Sequence, residues 1–523
     1  MKSFLKVFST EANPLVTRKP SLHLWLGIVL VGMIHLCGAT WHIRFGATNT
    51  DEGFYAITTR AVAQGELPYR DFGFTQPPFV LYANALPLKL AGFGLTPMRI
   101  VNGVWAALGL ALAAYWVARR TNAACGLGLA VLFSINAPWM YFMHMGKTYG
   151  FTTLLVVLAM WTFLALKPGT WRAAALGLLV VVGIGTRLTA APFFVLLWLL
   201  ALWPGRRPAT SELVAAVASV GLATIVLLLP FWWAAPEQVR FWVFDFHRLS
   251  LGARKWDLGW QDWVSIGPGV WVLAAFAMLV LRSRWKSGEA GVFLAAGLTL
   301  AVNLLPTGAY DEYGMPFLMP LAASSVVLLN DASRTWSRGF VVAVVGLATV
   351  AQVAVTPWLT ASDRPDVWSR WLTPRSSPYD YGLPGEMALA REIVWKELKA
   401  DAPFIGPHLL LAAETGRAVP RELYMGAFAF TAEMPADRAA RLHLVTHERL
   451  EQWFDDPQVT VLGFFPRLAL DYGWSMPSYA QIPDDAHMRW FGPVWRQFRI
   501  AYKSENFVVL VRKQPAVGEA RIP

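Results

Sequence analysis

Two adjacent carboxylates, Asp51 and Glu52, lie in a stretch, 48–78, that is crowded with polar and aromatic side chains. A deprotonated carboxylate beside a hydroxyl nucleophile can take its proton as that oxygen attacks an electrophile. The same pair can also do no more than complement the positive end of a helix dipole. Thr48, Asn49 and Thr50 offer capping side chains directly before Asp51, and Gly65 offers a stop, so a helix is expected from Asp51 to about Gln64. Both acids then fall in its first turn, where the ionised form is favoured. Capping and proton transfer both remain open on these grounds.

Phe54, Ile57, Ala61 and Val62 share one face of that helix, which predicts that it lies along a membrane surface. Beyond it, Tyr69, Arg70, Asp71 and Gln76 are packed into a short turn that runs into Pro77 and Pro78. The two prolines suit the start of a second helix. The segment 79–93 is apolar but short, with Pro87 and Lys89 inside it, so it too reads as a surface helix. Together the two helices would form a ledge. An aromatic membrane-anchoring belt is the plainer explanation, but a belt does not require four such polar groups within eight residues.

The elements that must position this stretch are apolar. Hydrophobic residues make up 55% of the 523-residue chain and charged residues only 15%, against about 25% in average soluble domains, so the chain is a membrane protein with a soluble part. The net charge of +11 comes largely from basic residues in short loops between apolar runs, which argues for membrane topology and against nucleic acid. Cys37 and Cys125 both lie in apolar runs and offer neither a disulfide framework nor metal-ligand spacing. An uncleaved first span is expected at 22–41, followed by runs at 98–118, 123–142, 150–166, 173–186, 189–203, 212–234, 264–281, 290–306, 315–330 and 339–357, about eleven spans in all. The stretch 173–203 reads either as one bent helix or as a tight pair.

Basic residues recur at every second connection: Arg119 and Arg120, Lys167 with Arg172, Arg206 and Arg207, Arg282 with Arg284 and Lys286, Arg334 with Arg338. With the basic N-terminus they mark the cytoplasmic side, and they place the first outer loop, 43–96, outside. An odd number of spans puts 358–523 outside as well. That tail carries charges throughout. An amphipathic helix is expected at 386–399 and strands at 459–465 and 507–511, which makes it a small extracytoplasmic α/β domain after a membrane domain at 1–357.

Three sub-motifs in order, Asp51-Glu52-Gly53-Phe54-Tyr55, then Gly65-Glu66-Leu67-Pro68-Tyr69-Arg70-Asp71, then Gln76-Pro77-Pro78, resemble the first outer loop of GT-C glycosyltransferases. The nearest branch is glycosyltransferase family 39, which includes protein O-mannosyltransferases and enzymes that add aminoarabinose to lipid A. The hydropathy pattern carries the resemblance over about 20–357. Tyr313, with Met315, Pro316 and Phe317, resembles the lead-in to a late span of that family, and 412–428 resembles tails of uncharacterised bacterial members.

The resemblance implies a polyprenyl-phosphate sugar donor, Asp51 as base with Glu52 beside it, and substrate contacts from Tyr55, Tyr69, Arg70, Asp71, Gln76 and Tyr313. It also implies a multi-pass protein of the bacterial inner membrane. Two positions depart from the pattern. Many relatives carry Lys where this chain has Gln76, and an acid after the third span where this chain has His144 and Lys147.

Lys147, Arg187, Arg240, His247, Arg248, Arg254 and Lys255 fall on the outer side, against the usual bias. Cations in or near lipid need a partner, and a lipid phosphate is one; a departing phosphate would gain from them as its charge develops. Snorkelling to phospholipid head groups is the alternative, evenly weighed for Arg248, Arg254 and Lys255. His144 and His247 read as solvated or core histidines. Asp311 and Glu312 could hold a cation or the sugar, although a solvated turn is the simpler reading. No cofactor is required, and a divalent cation is the one candidate.

The expected protein is therefore a mostly α, GT-C-like helix bundle that transfers a sugar to an acceptor hydroxyl on a lipid, glycan or protein outside the cytoplasm. Attack opposite the phosphate would invert the anomeric centre. A transporter or lipid flippase is the alternative. It would place ionisable groups near the bilayer midplane in paired broken helices, and here the acids lie at the margin with no repeated halves.

Overall fold

The computed structural model describes residues 22–46, 48–202, 208–251, 266–304, 311–332, 338–359, 384–397, 402–406, 409–431, 434–464, 475–476, 480–481, 497–503 and 508–513. Among the described residues each expected apolar run is helical: Leu22–Phe45, Leu95–Arg120, the pair Ala123–Ser134 and Ala137–His144, Tyr149–Ala165, Thr170–Ile184, Ala191–Leu202, Thr210–Ala234, Pro268–Arg284, Gly288–Leu304, Met315–Ala332 and Arg338–Leu359. An apolar medium offers no partners to backbone N–H and C=O groups, so these sequences satisfy them within a helix. Among the described residues four helices are long and apolar enough to cross a membrane alone, and the bent pair would make a fifth. The chain is thus a mostly helical integral membrane protein with a small C-terminal sheet.

The chain divides into two compact units. One comprises the described residues of Met1–Gly46, Arg99–Pro230 and Arg254–Ser377; the other comprises those of Ala47–Met98, Phe231–Ala253 and Pro378–Pro523.

In the first unit, Met315–Ala332 is the central helix: every side chain from Met315 to Leu329 is buried. By contrast Leu22, Leu26 and Leu36 on the first helix are more than half exposed, as expected of a lipid-facing surface. The run 123–142 is not one rod. It bends by 72° at Ile135 and Asn136, because the Asn136 side chain accepts from Trp139 N at 3.0 Å and starts a new helix with Pro138 in its first turn. The stretch 173–203 is a pair, broken at Gly185–Arg187. Thr210–Ala234 contains a π-helical segment at Thr224–Leu228 just before Pro230, which lacks an amide donor. Arg99 is buried and ties down the end of the first helix, with Nη1 donating to the carbonyls of His42 at 3.0 Å and Gly46 at 2.9 Å.

In the second unit the first-loop helix is Thr50–Ala63 and the next is Phe79–Ala91. The first is buried on more than the one apolar face that its pattern predicts. Residues 52–59 are all buried, including the face that reads as polar. Thr58 can be buried because its hydroxyl donates to Phe54 O at 2.6 Å within the same helix. One neighbour is the tail helix Leu409–Thr415, and the approach requires glycine: a Cβ on Gly53 would lie 2.3 Å from Leu410 N. Phe79–Ala91 is amphipathic in burial, with Val80, Leu81 and Leu88 inward and Leu86 and Leu90 largely exposed.

The tail contributes the helix Pro384–Glu397 and a four-stranded sheet in the order 404–405, 461–464, 508–512, 498–503. The first pair is parallel and the others antiparallel, with Val461 opposite Val511 and Ile500 opposite Leu510. The helix and the strands at 461–464 and 508–512 fall where their patterning predicts, within two residues at the ends, whereas the strands at 404–405 and 498–503 were not expected.

Candidate functional site

The acidic corner is built by a capping box. The Asn49 side chain accepts from Asp51 N at 3.0 Å, and Glu52 Oε2 accepts from Asn49 N at 3.0 Å. Glu52 is fully buried, so its carboxylate holds the turn shut. Asp51, one residue earlier, is only partly buried. The two acids therefore differ in environment: one is a structural acceptor, and the other remains accessible at the positive end of the helix.

Tyr55 is buried, stacked on Phe54 at 4.6 Å and edge-on to Phe74 at 5.7 Å. Tyr69 is also buried, with a left-handed φ of 71°. Two bonds hold that conformation. Tyr69 N donates to Phe72 O at 2.8 Å, and the Tyr69 hydroxyl donates to Gln76 O at 2.6 Å. Burial pushes the Tyr69 phenol well above its usual pKa. Arg70 is exposed and forms a fork on Asp71 at 2.8 and 3.0 Å. Asp71 also accepts from Leu67 N at 2.7 Å, and the Arg70 contact above all keeps its carboxyl below the ordinary range. Gln76 is partly buried.

Residues of the tail and of the segment 231–253 close over this turn. A Cβ on Gly73 would lie 2.4 Å from the Trp242 ring, whose Nε1 donates to Leu442 O at 2.8 Å. His443 Nε2 lies 3.1 Å from the carbonyls of both Tyr69 and Arg70, which makes it the N–H donor. His247 Nε2 lies 2.5 Å from Thr75 O, and Arg248 beside it is exposed. Arg240 pairs with Asp245 at 3.4 Å. Arg254 and Lys255 lie outside the described residues.

The first unit holds a buried ionic cluster of its own. Lys147 Nζ lies 3.1 Å from Glu312 Oε1, and both side chains are almost wholly buried. The Tyr149 hydroxyl donates to the same oxygen. Arg187 is buried too; it donates to Thr148 Oγ1 at 2.6 Å, to Thr189 Oγ1 at 2.7 Å and to Tyr149 Oη at 3.3 Å. Its guanidinium sits 4.4 Å from the Tyr149 ring centre and 4.7 Å from that of Tyr313. Lys147, Arg187 and Tyr313, which are far apart in sequence, are thus brought together.

Glu312 corrects the expectation of a solvated turn. Its neighbour Tyr313 was the available signal, as Lys147 was for Tyr149. His144 is a core histidine as expected, with Nδ1 2.7 Å from Met140 O. Among the described residues no three His, Cys, Asp or Glu side chains come together to hold a metal ion.

No protein-family model matches the chain, and no curated protein matches it. Solved structures do. One is ArnT from Cupriavidus metallidurans bound to undecaprenyl phosphate, with a TM-score of 0.54 and 14% identity over 94% of this chain and 98% of that one. The apo state of ArnT gives a TM-score of 0.55 and 15% identity over 92% and 97%. At such identity the likeness is one of architecture, and by architecture the chain has the GT-C-like fold of ArnT.

Proposed function

We propose that the protein is a membrane glycosyltransferase that moves a sugar from a polyprenyl-phosphate donor to an acceptor hydroxyl on the outer face of a bacterial cytoplasmic membrane. The observation that carries this reading is the division of labour at 51 and 52: Glu52 is committed to the cap, while Asp51 is presented at a helix N-terminus with part of its surface accessible. The fold adds weight, since ArnT was solved with undecaprenyl phosphate bound.

In this reaction Asp51 accepts the proton of the acceptor hydroxyl. The oxygen attacks the anomeric carbon, the bond from that carbon to the phosphate oxygen breaks, and polyprenyl phosphate departs with the electron pair. Attack from the face opposite the phosphate inverts the anomeric centre. A phosphate leaves as a stable anion, so cations can take the place of a general acid. Lys147 and Arg187 are the proposed phosphate partners, with Tyr313 stacked on the guanidinium. Tyr69 and the Arg70–Asp71 pair shape the turn at 67–76, whose Phe74 packs on Tyr55, and we assign these residues to sugar or acceptor binding through that turn.

The test is transfer from a labelled undecaprenyl-phosphate sugar by the purified protein in lipid bilayers. A glycosidic product from wild type is expected. Movement of the lipid across the bilayer with no product would overturn the enzyme reading in favour of a flippase.

A further inference from the structure

The carboxylate of Glu312 receives two donors on one oxygen, from Lys147 Nζ at 3.1 Å and from the Tyr149 hydroxyl. A phenol has one hydrogen to give. With that hydrogen committed to Glu312, the Tyr149 oxygen turns its lone pairs elsewhere, and Arg187 Nη2 donates to it at 3.3 Å. The contacts thus run as one chain: Arg187 to Tyr149 to Glu312, with Lys147 entering from the other side. Fixing the Tyr149 hydroxyl also fixes its ring, against which the Arg187 guanidinium is packed. Lys147 and Glu312 are 165 residues apart in sequence, so only the fold brings this carboxylate to the two cations.

We infer that Glu312 is a positioning residue of the phosphate site: it sets the Lys147 ammonium directly, and the Arg187 guanidinium through Tyr149, where they receive the donor's phosphate. This rests on the proposed function above. A carboxylate suits the role because two buried cations held for an absent anion would repel each other and lose solvation, and Glu312 offsets both costs. The opposite role would be a stand-in anion that the phosphate must displace. The two differ in sign: removing a positioning group weakens lipid binding, whereas removing a competitor strengthens it.

The experiment measures undecaprenyl phosphate binding by fluorescence titration, and KM and kcat for the labelled donor, in wild type, Glu312→Gln, Glu312→Asp and Tyr149→Phe. Glu312→Gln and Tyr149→Phe should each weaken binding about tenfold and raise KM more than they lower kcat, as expected for loss of a buried hydrogen bond to a charged group. Glu312→Asp, which keeps the charge, should recover part of the loss. Tyr149→Phe keeps the ion pair, so it reports even if Glu312→Gln does not fold. Variants that melt like wild type and bind the lipid as tightly, or more tightly, overturn the inference alone. Wild type that binds no undecaprenyl phosphate overturns the proposed function and this inference with it.

Discussion

Glu52 accepts the backbone N–H of Asn49 at 3.0 Å, and the turn that carries Asp51 is closed by that bond. The second acid of the pair thus acts on the first through the backbone. Glu52→Ala should lower stability by about 1–2 kcal/mol, the cost of a lost cap, as read by thermal unfolding in detergent. Glu52→Gln keeps an acceptor oxygen and should lose much less. A Glu52→Ala protein with wild-type stability would remove the structural role.

Gly53 tests the packing of the tail on the same helix. Alanine is the better helix former by about 1 kcal/mol, so an unconstrained Gly53→Ala would stabilise. Here the added Cβ would lie 2.3 Å from Leu410 N and must push the tail helix aside. Overpacking of this kind costs about 1–3 kcal/mol. A lower melting temperature is expected, together with faster proteolysis between 400 and 430. A higher melting temperature would contradict the contact.

The Lys147–Glu312 pair should show strong coupling. Lys147→Met leaves a buried carboxylate without its ammonium, a change that typically costs about 3–5 kcal/mol. Adding Glu312→Gln should recover a substantial part, and the double-mutant cycle measures how much. Simple additivity of the two losses would mean that the pair carries no net interaction.

Acid should loosen the turn at 67–76. Burial holds the His443 imidazole below its ordinary 6.5, although the Tyr69 and Arg70 carbonyls favour the protonated ring. The contribution of a group with a lowered folded pKa is complete above about 6.5 and is lost as pH falls through the folded value. Asp71 acts in the same direction but in a lower window, below the ordinary carboxyl range of about 3.9. Stability should therefore decline from pH 7 to pH 5, in part through His443. His443 has a left-handed φ of 57°, which asparagine tolerates, so His443→Asn should reduce that decline. An unchanged slope in the variant would assign it elsewhere.

The helices and their ends were legible because they depend on local chemistry. A cap among Thr48, Asn49 and Thr50, and Gly65 as stop, are readable one residue at a time. The burial of residues 52–59 was not, since Thr58 and Thr59 look like a solvent face until the hydroxyl of Thr58 is seen bonded within its own helix. The bend at Asn136 was signalled by an Asn followed by Pro138, but the apolar run around it concealed the break. Glu312 was misread for a different reason. An acid in a turn is normally solvated, and its partner Lys147 could be found only by folding the chain.

The most direct test of the central claim is the rate of sugar transfer by Asp51→Asn, measured on protein that keeps the wild-type melting temperature. Asparagine preserves size and one acceptor oxygen but cannot take a proton at neutral pH. If Asp51 is the base, the rate should fall by about a hundredfold or more while affinity for undecaprenyl phosphate stays near wild type. A folded Asp51→Asn enzyme that transfers sugar at the wild-type rate would contradict the account.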